Sequence, residues 1–203
     1  MRIENNVIES IDFPENLTEI KKFSLMRTGI NMEDIHIPDS VQKIGNYAFA
    51  DSLMSRITIP NSVTEIGKGA FQNCTSLQNI DIPKSITIIS PYTFSGCTNL
   101  EEVTFGKNIT IGYEAFRNCK KLTKVGSDAE YIGAAAFLDC SALTQAPISE
   151  NTLSIGSYAF KGCVALTEIV LENNLSTIGS EAFGNVTGRL TVNNNRICNN
   201  INA

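Results

Sequence analysis

Apolar residues recur along this chain in one template. An Ala-Phe or similar pair places Phe at positions 49, 71, 94, 116, 137, 160 and 183, at spacings of 22, 23, 22, 21, 23 and 23 residues. Five residues before each stands an isoleucine (Ile44, Ile66, Ile89, Ile111, Ile132, Ile155, Ile178), followed by Gly in every unit but one, where Ser90 takes its place. Three residues after five of the phenylalanines stands Cys74, Cys97, Cys119, Cys140 or Cys163. Three residues further comes Leu77, Leu100, Leu122, Leu143 or Leu166, each opening a Leu-x-x-apolar-x-apolar run such as Leu77-Gln78-Asn79-Ile80-Asp81-Ile82. The same unit recurs in weaker form as Ile8-x-x-Ile11-x-Phe13-Pro14 and Met32-x-x-Ile35-x-Ile37-Pro38, and only Leu190-Thr191-Val192 remains of a last one. Its first position falls at 8, 32, 54, 77, 100, 122, 143, 166 and 187. About eight full coils from residue 8, degenerate at both ends and followed by the Asn-rich tail 193–203, leave no room for a second domain; residues 1–203 read as a single array.

A period of 21 to 24 with Leu-x-x-Leu-x-Leu spacing lies in the leucine-rich-repeat range, where one unit cannot bury its apolar face and must stack on its neighbours. Alternation in Ile80-Asp81-Ile82 predicts a short strand with both isoleucines inward and Asp81 outward. Pro14, Pro38, Pro60 and Pro83 follow that strand and are expected to end its pairing. The Gly after each Ile suits an unusual φ or a close backbone approach, and Ala-Phe-x-x-Cys is long enough for one helical or 3-10 turn carrying Phe and Cys to the inside. The fold predicted is a leucine-rich-repeat solenoid: a right-handed superhelix of short parallel strands forming one sheet, with helical turns on the return side, about 40 Å long.

The string Ile57-Thr58-Ile59-Pro60-Asn61-Ser62-Val63-Thr64-Glu65-Ile66-Gly67-Lys68-Gly69-Ala70-Phe71-Gln72-Asn73-Cys74-Thr75-Ser76-Leu77 resembles the BspA-type bacterial leucine-rich repeat, and the resemblance runs from about residue 8 to 192. It implies a binding module displayed at the cell surface or secreted, since several members are adhesins for matrix proteins or other cells. It names no ligand. The opening Met1-Arg2-Ile3-Glu4-Asn5-Asn6 lacks the apolar core of an export signal, which leaves a cytoplasmic location open.

Composition narrows the function classes. Sixteen Lys and Arg against 21 Asp and Glu give a formal charge of −5, which argues against nucleic acid as partner. No apolar run reaches the 18 or so residues of a membrane span. One histidine and no tryptophan leave few parts for acid–base catalysis. No nucleophile or pocket can be named beside His36, so the chain reads as no enzyme, with no cofactor. The five repeated cysteines form a linear ladder that does not converge on a metal ion, and an odd number of rungs pointing one way disfavours disulfides. They read as small buried thiols beside Phe, whereas Cys198 in the tail reads as exposed. Asn16, Asn73, Asn108, Asn174 and Asn185 begin N-x-S/T triplets, but these residue types are what turns use.

A solenoid of this kind binds most often through its concave strand face. The outward slots there read Ser10, Asp34, Arg56, Asn79, Glu102, Lys124, Gln145, Glu168 and Arg189, and then Asp12, His36, Thr58, Asp81, Thr104, Gly126, Pro147, Val170 and Thr191. Asp34, His36, Arg56, Asn79, Asp81, Glu102 and Lys124 are the candidate partner-binding strip: polar, mixed in sign and without an aromatic. The partner expected is a protein or cell-surface macromolecule, bound by a monomer. Tyr47, Tyr92 and Tyr158, each two before Phe, are expected to project from the return side as an alternative stripe. The competing reading is a structural spacer of a longer surface protein, suggested by the truncated ninth unit.

Overall fold

A computed structural model describes residues 11–27 and 35–193. Its regular elements are strands of two to four residues, every pairing is parallel, and there is no helix among the described residues. The strands fall into two ladders rather than the one sheet expected. The first comes from the Leu-x-x-Ile-x-Ile run. Ile35–His36 pairs with Ile57–Thr58; Asn79–Asp81, Glu102–Thr104 and Lys124–Val125 form a second group, and Glu168–Leu171 with Arg189–Val192 a third. The second ladder comes from the Val-Thr-x-Ile-Gly segment. Glu19–Ile20, Lys43–Ile44 and Glu65–Ile66 form one group, and Ile88–Ile89, Ile109–Ile111, Ala129–Ile132, Ser154–Ile155 and Thr177–Ile178 the other.

Pro38, Pro60 and Pro83 lie just beyond a first-ladder strand, and with Pro14 they open the turn to the second ladder. The carbonyls of Pro14, Pro38, Pro60 and Pro83 accept hydrogen bonds from the amides three residues on, Leu17, Val41, Val63 and Ile86, at 2.9–3.1 Å. Ile109 lies two residues before Ile111 whereas Ala129 lies three before Ile132, so this strand carries one extra residue as a bulge between Ala129 and Tyr131 even though its unit, at 21 residues, is the shortest. Pro147, expected in an outward slot, is buried instead, and no strand forms between 133 and 153. Proline cannot donate to the ladder, so the first ladder breaks at that coil.

The return segment is not the helical turn expected from Ala-Phe-x-x-Cys. Its amides alternate between two destinations. Ala48 and Ala50 donate to Gly45 and Tyr47 three residues back, while Tyr47, Phe49 and Asp51 donate to Lys68, Ala70 and Gln72 of the following coil at 2.7–2.9 Å. A helix would use every amide within the segment; here about half are spent between coils, as a third ladder. The alternation demands positive φ two residues before and two after each Phe. The later row is Asp51, Asn73, Gly96, Asn118, Asp139, Gly162 and Asn185, types that tolerate the left-handed region; the earlier row includes Tyr47, Tyr92 and Tyr158, which do not favour it. Phe23 and Arg27 repeat this geometry around Leu25, so the first described coil has Leu25 in the Phe slot, which the sequence pattern does not reveal.

Phe and Cys are both delivered inside, as expected. Phe49 through Phe183 form one stack with centroids 5.0–5.5 Å apart and ring planes within 13°. The Gly after each Ile answers to close approach and not to φ. A Cβ on Gly133 would lie 2.7 Å from the Gly112 carbonyl carbon and 2.8 Å from the Tyr113 nitrogen, both backbone of the preceding coil.

Candidate functional site

The outward row of the first ladder is set by strand alternation, His36, Thr58 and Asp81 each standing between two buried residues and Thr104 between buried Val103 and half-buried Phe105. Ile35, Ile57, Ile80 and Val103 point into the core, while His36, Thr58, Asp81 and Thr104 are exposed. Register then decides which candidates meet. His36 stands beside Thr58, and Asn79, Glu102 and Lys124 stand in line. Lys124 Nζ reaches Glu102 Oε1 at 2.5 Å, and the Thr104 hydroxyl donates to Asp81 Oδ1. Arg56 has no ion-pair partner among the described residues, and with Asn79 and Asp81 it lines a shallow depression of about 380 Å³ at the seam between two strand groups. His36 borders another of about 480 Å³, shared with Asp12, Glu15 and Asp39. Asp34 lies outside the described residues.

These groups lie along a line and do not converge. Among the described residues no hydrogen bond ties a nucleophile to His36, and no three His, Cys, Asp or Glu side chains gather as metal ligands. The five repeated thiols are buried and unpaired with one another, each donating to the carbonyl of the Phe one coil back. Cys74 bonds Phe49, Cys97 Phe71, Cys119 Phe94, Cys140 Phe116 and Cys163 Phe137, all at 3.0–3.1 Å. Ser52 does the same to Leu25 at 3.0 Å. Burial pushes the Cys97, Cys119 and Cys163 thiols well up, so they stay protonated donors. The slot selects a small side chain with one hydrogen to give.

The return side carries more than the three tyrosines expected there. Tyr92 meets Tyr113 edge to face at 5.2 Å, and Phe23 stacks on Tyr47 at 5.5 Å. Phe23 takes the tyrosine position of the coil whose Phe slot holds Leu25, and Tyr113 stands three before its Phe, so a pattern of Tyr two before Phe finds neither. Glu114 holds the Tyr113 phenol up at about 12 through a hydrogen bond and its charge, and pairs with Arg117 at 2.9 Å.

The sequence of residues 18–129 and 123–203 matches the model of the BspA type leucine rich repeat region, in six copies. Among curated proteins none matches the chain significantly. A leucine-rich repeat protein from Bacteroides ovatus is similar in structure at TM-score 0.61 and 24% identity, over 90% of this chain and 59% of its own. One from Eubacterium ventriosum gives 0.50 and 24% over 80% and 45%, and the T. pallidum leucine rich repeat protein 0.53 and 25% over 80% and 67%. The chain thus spans about half to two thirds of the length of these proteins. With the repeat matched over most of its length and the stacked parallel coils in place, this chain belongs to the BspA-type leucine-rich repeat family.

Proposed function

We propose that the chain is a non-catalytic protein-interaction or adhesion module, acting as a monomer at the cell surface, that holds a macromolecular partner against the outward row of its first ladder. The observation that carries this reading is the open strip from His36 to Lys124. Its groups stand in register within two strand groups, His36 beside Thr58 and then Asn79, Glu102 and Lys124 in line, with charges of both signs and, among the described residues, no converging group to do chemistry. Such a strip steers and orients a partner. It lacks aromatic anchors, so affinity is expected near micromolar and weakening with salt.

The test reverses Arg56 and Lys124 to Glu together and measures binding to whole cells and to matrix proteins. Because Lys124 pairs with Glu102, its reversal sets two carboxylates face to face, and thermal stability is measured alongside. Binding is expected to fall with stability kept. Binding left intact by the double reversal and abolished by a change at Tyr92 or Tyr158 would move the site to the return side.

A further inference from the structure

The return side of the first five described coils is built unlike the strip just described. Phe23, Tyr47, Tyr92 and Tyr113 lie there with Lys21, Lys22 and Lys68. Phe23 is 51% and Tyr113 44% exposed, high for rings of that size. The Lys68 ammonium sits 5.0 Å over the Tyr92 ring, and the Tyr47 ring lies across Gly69, where any side chain would strike it. Phe23, Tyr47 and Tyr92 hold positive φ, at which Asn or Gly would be at ease. The fold bears that strain with rings facing outward.

The electrostatics are as uneven. Several neighbouring carboxylates are engaged, Glu65 by Lys43 at 2.9 Å, Asp51 by Arg27 at 3.3 Å and by Asn73 at 2.9 Å, and Glu114 by Arg117, while exposed Glu19 stands in register beside Lys43. Lys22 and Lys68 are exposed, and neither forms an ion pair among the described residues. A chain of formal charge −5 thus presents a locally cationic, aromatic stripe.

We propose that this stripe binds an extended acidic polypeptide segment, through a surface separate from the first-ladder strip. Charge complementarity selects the carboxylates, and the rings supply the anchors that the strand face lacks. From Phe23 to Tyr113 is four coil intervals, about 19 Å at about 4.8 Å each, which an extended chain spans in about six residues. Three lysines over that length are too sparse for a sulfated polysaccharide, whose affinity rests on dense cation contacts.

The probe is a fluorescein-labelled, end-capped hexapeptide alternating Glu and Leu, titrated with the full chain by fluorescence anisotropy, beside its Gln-Leu counterpart. The Glu peptide is expected to bind at least about tenfold more tightly than the Gln peptide, and less so as salt rises. Lys22→Glu with Lys68→Glu, and separately Tyr92→Asn, whose new residue accepts the same φ, are each expected to weaken it about tenfold. The Arg56 and Lys124 reversal is expected to leave it within twofold, which separates this proposal from the strand-face reading. If a reversal lowers thermal stability, Lys22→Gln with Lys68→Gln replaces it, with a loss still expected. No difference between the two peptides, no loss in the lysine variants, or binding of heparin in place of the peptide would overturn the proposal.

Discussion

Phe116 sits at the middle of the ring stack, fully buried, 5.3 Å from Phe94 on one side and 5.0 Å from Phe137 on the other. Phe116→Ala removes the ring from both pairs at once. Transfer of the ring back to water costs about 1.5–3 kcal/mol, and each stacked pair contributes about 0.5–1.5 kcal/mol beyond area. The gap left is walled by two parallel rings and by backbone tied to the next coils, so collapse is limited, and the total is expected at about 3–5 kcal/mol. Phe183 is only partly buried and has one described ring neighbour, Phe160 at 5.4 Å, so Phe183→Ala is expected to cost about half as much. Urea unfolding followed by far-ultraviolet circular dichroism reads both. At a slope of about 2 kcal/mol/M the Phe116 midpoint falls by about 1.5–2.5 M. A loss below about 1 kcal/mol at Phe116, or equal losses at both positions, would refute the argument that a continuous ring stack is the core.

The thiol slot is expected to accept Cys97→Ser within about 1 kcal/mol, because the hydroxyl keeps the bond to Phe71 as Ser52 does to Leu25, whereas Cys97→Ala loses about 1–3 kcal/mol in the same titration. Ellman's reagent is expected to label none of the five ladder thiols in the folded protein even at pH 9 and all five in denaturant, since burial raises the pKa of Cys97, Cys119 and Cys163. Gly133→Ala drives a methyl into preceding-coil backbone, which has no flexible end to move aside, and is expected to cost about 1–3 kcal/mol by urea titration. Tyr113 keeps its proton in the folded state to about 12 but loses it near 10 when unfolded, so its contribution is whole below pH 10 and is lost across that window. Tyr113→Phe is accordingly expected to flatten the fall in stability between pH 10 and 12.

The period, the inward Ile, Phe and Cys, and Pro38, Pro60 and Pro83 after their strands are legible because each is a residue type whose local preference agrees with its place. What the sequence conceals is where backbone amides go. Ala-Phe-x-x-Cys looks helical as long as its hydrogen bonds are assumed to be its own, yet Phe49 spends its amide on Ala70, one coil away. The Asn, Asp and Gly two residues after Phe signal positive φ, but Tyr47 and Tyr92 two residues before it carry no such sign. The outward strip is legible from alternation alone, and Pro147 departs from it because ring constraint outweighs slot. Which outward groups meet depends on register across coils: Lys124 on Glu102 is 22 residues away, a spacing that only the stacking defines.

The most direct measurement of binding is photo-crosslinking from a benzophenone amino acid at Thr58, in the exposed middle of the first-ladder strip, against the same probe at Thr75, exposed in the turn between the return segment and the first ladder. Applied to cells or matrix that retain the protein, the account gives an adduct to a macromolecule from position 58 that is lost in the Arg56 and Lys124 reversal, and none from position 75. Retention of the protein with no adduct from position 58 would contradict it.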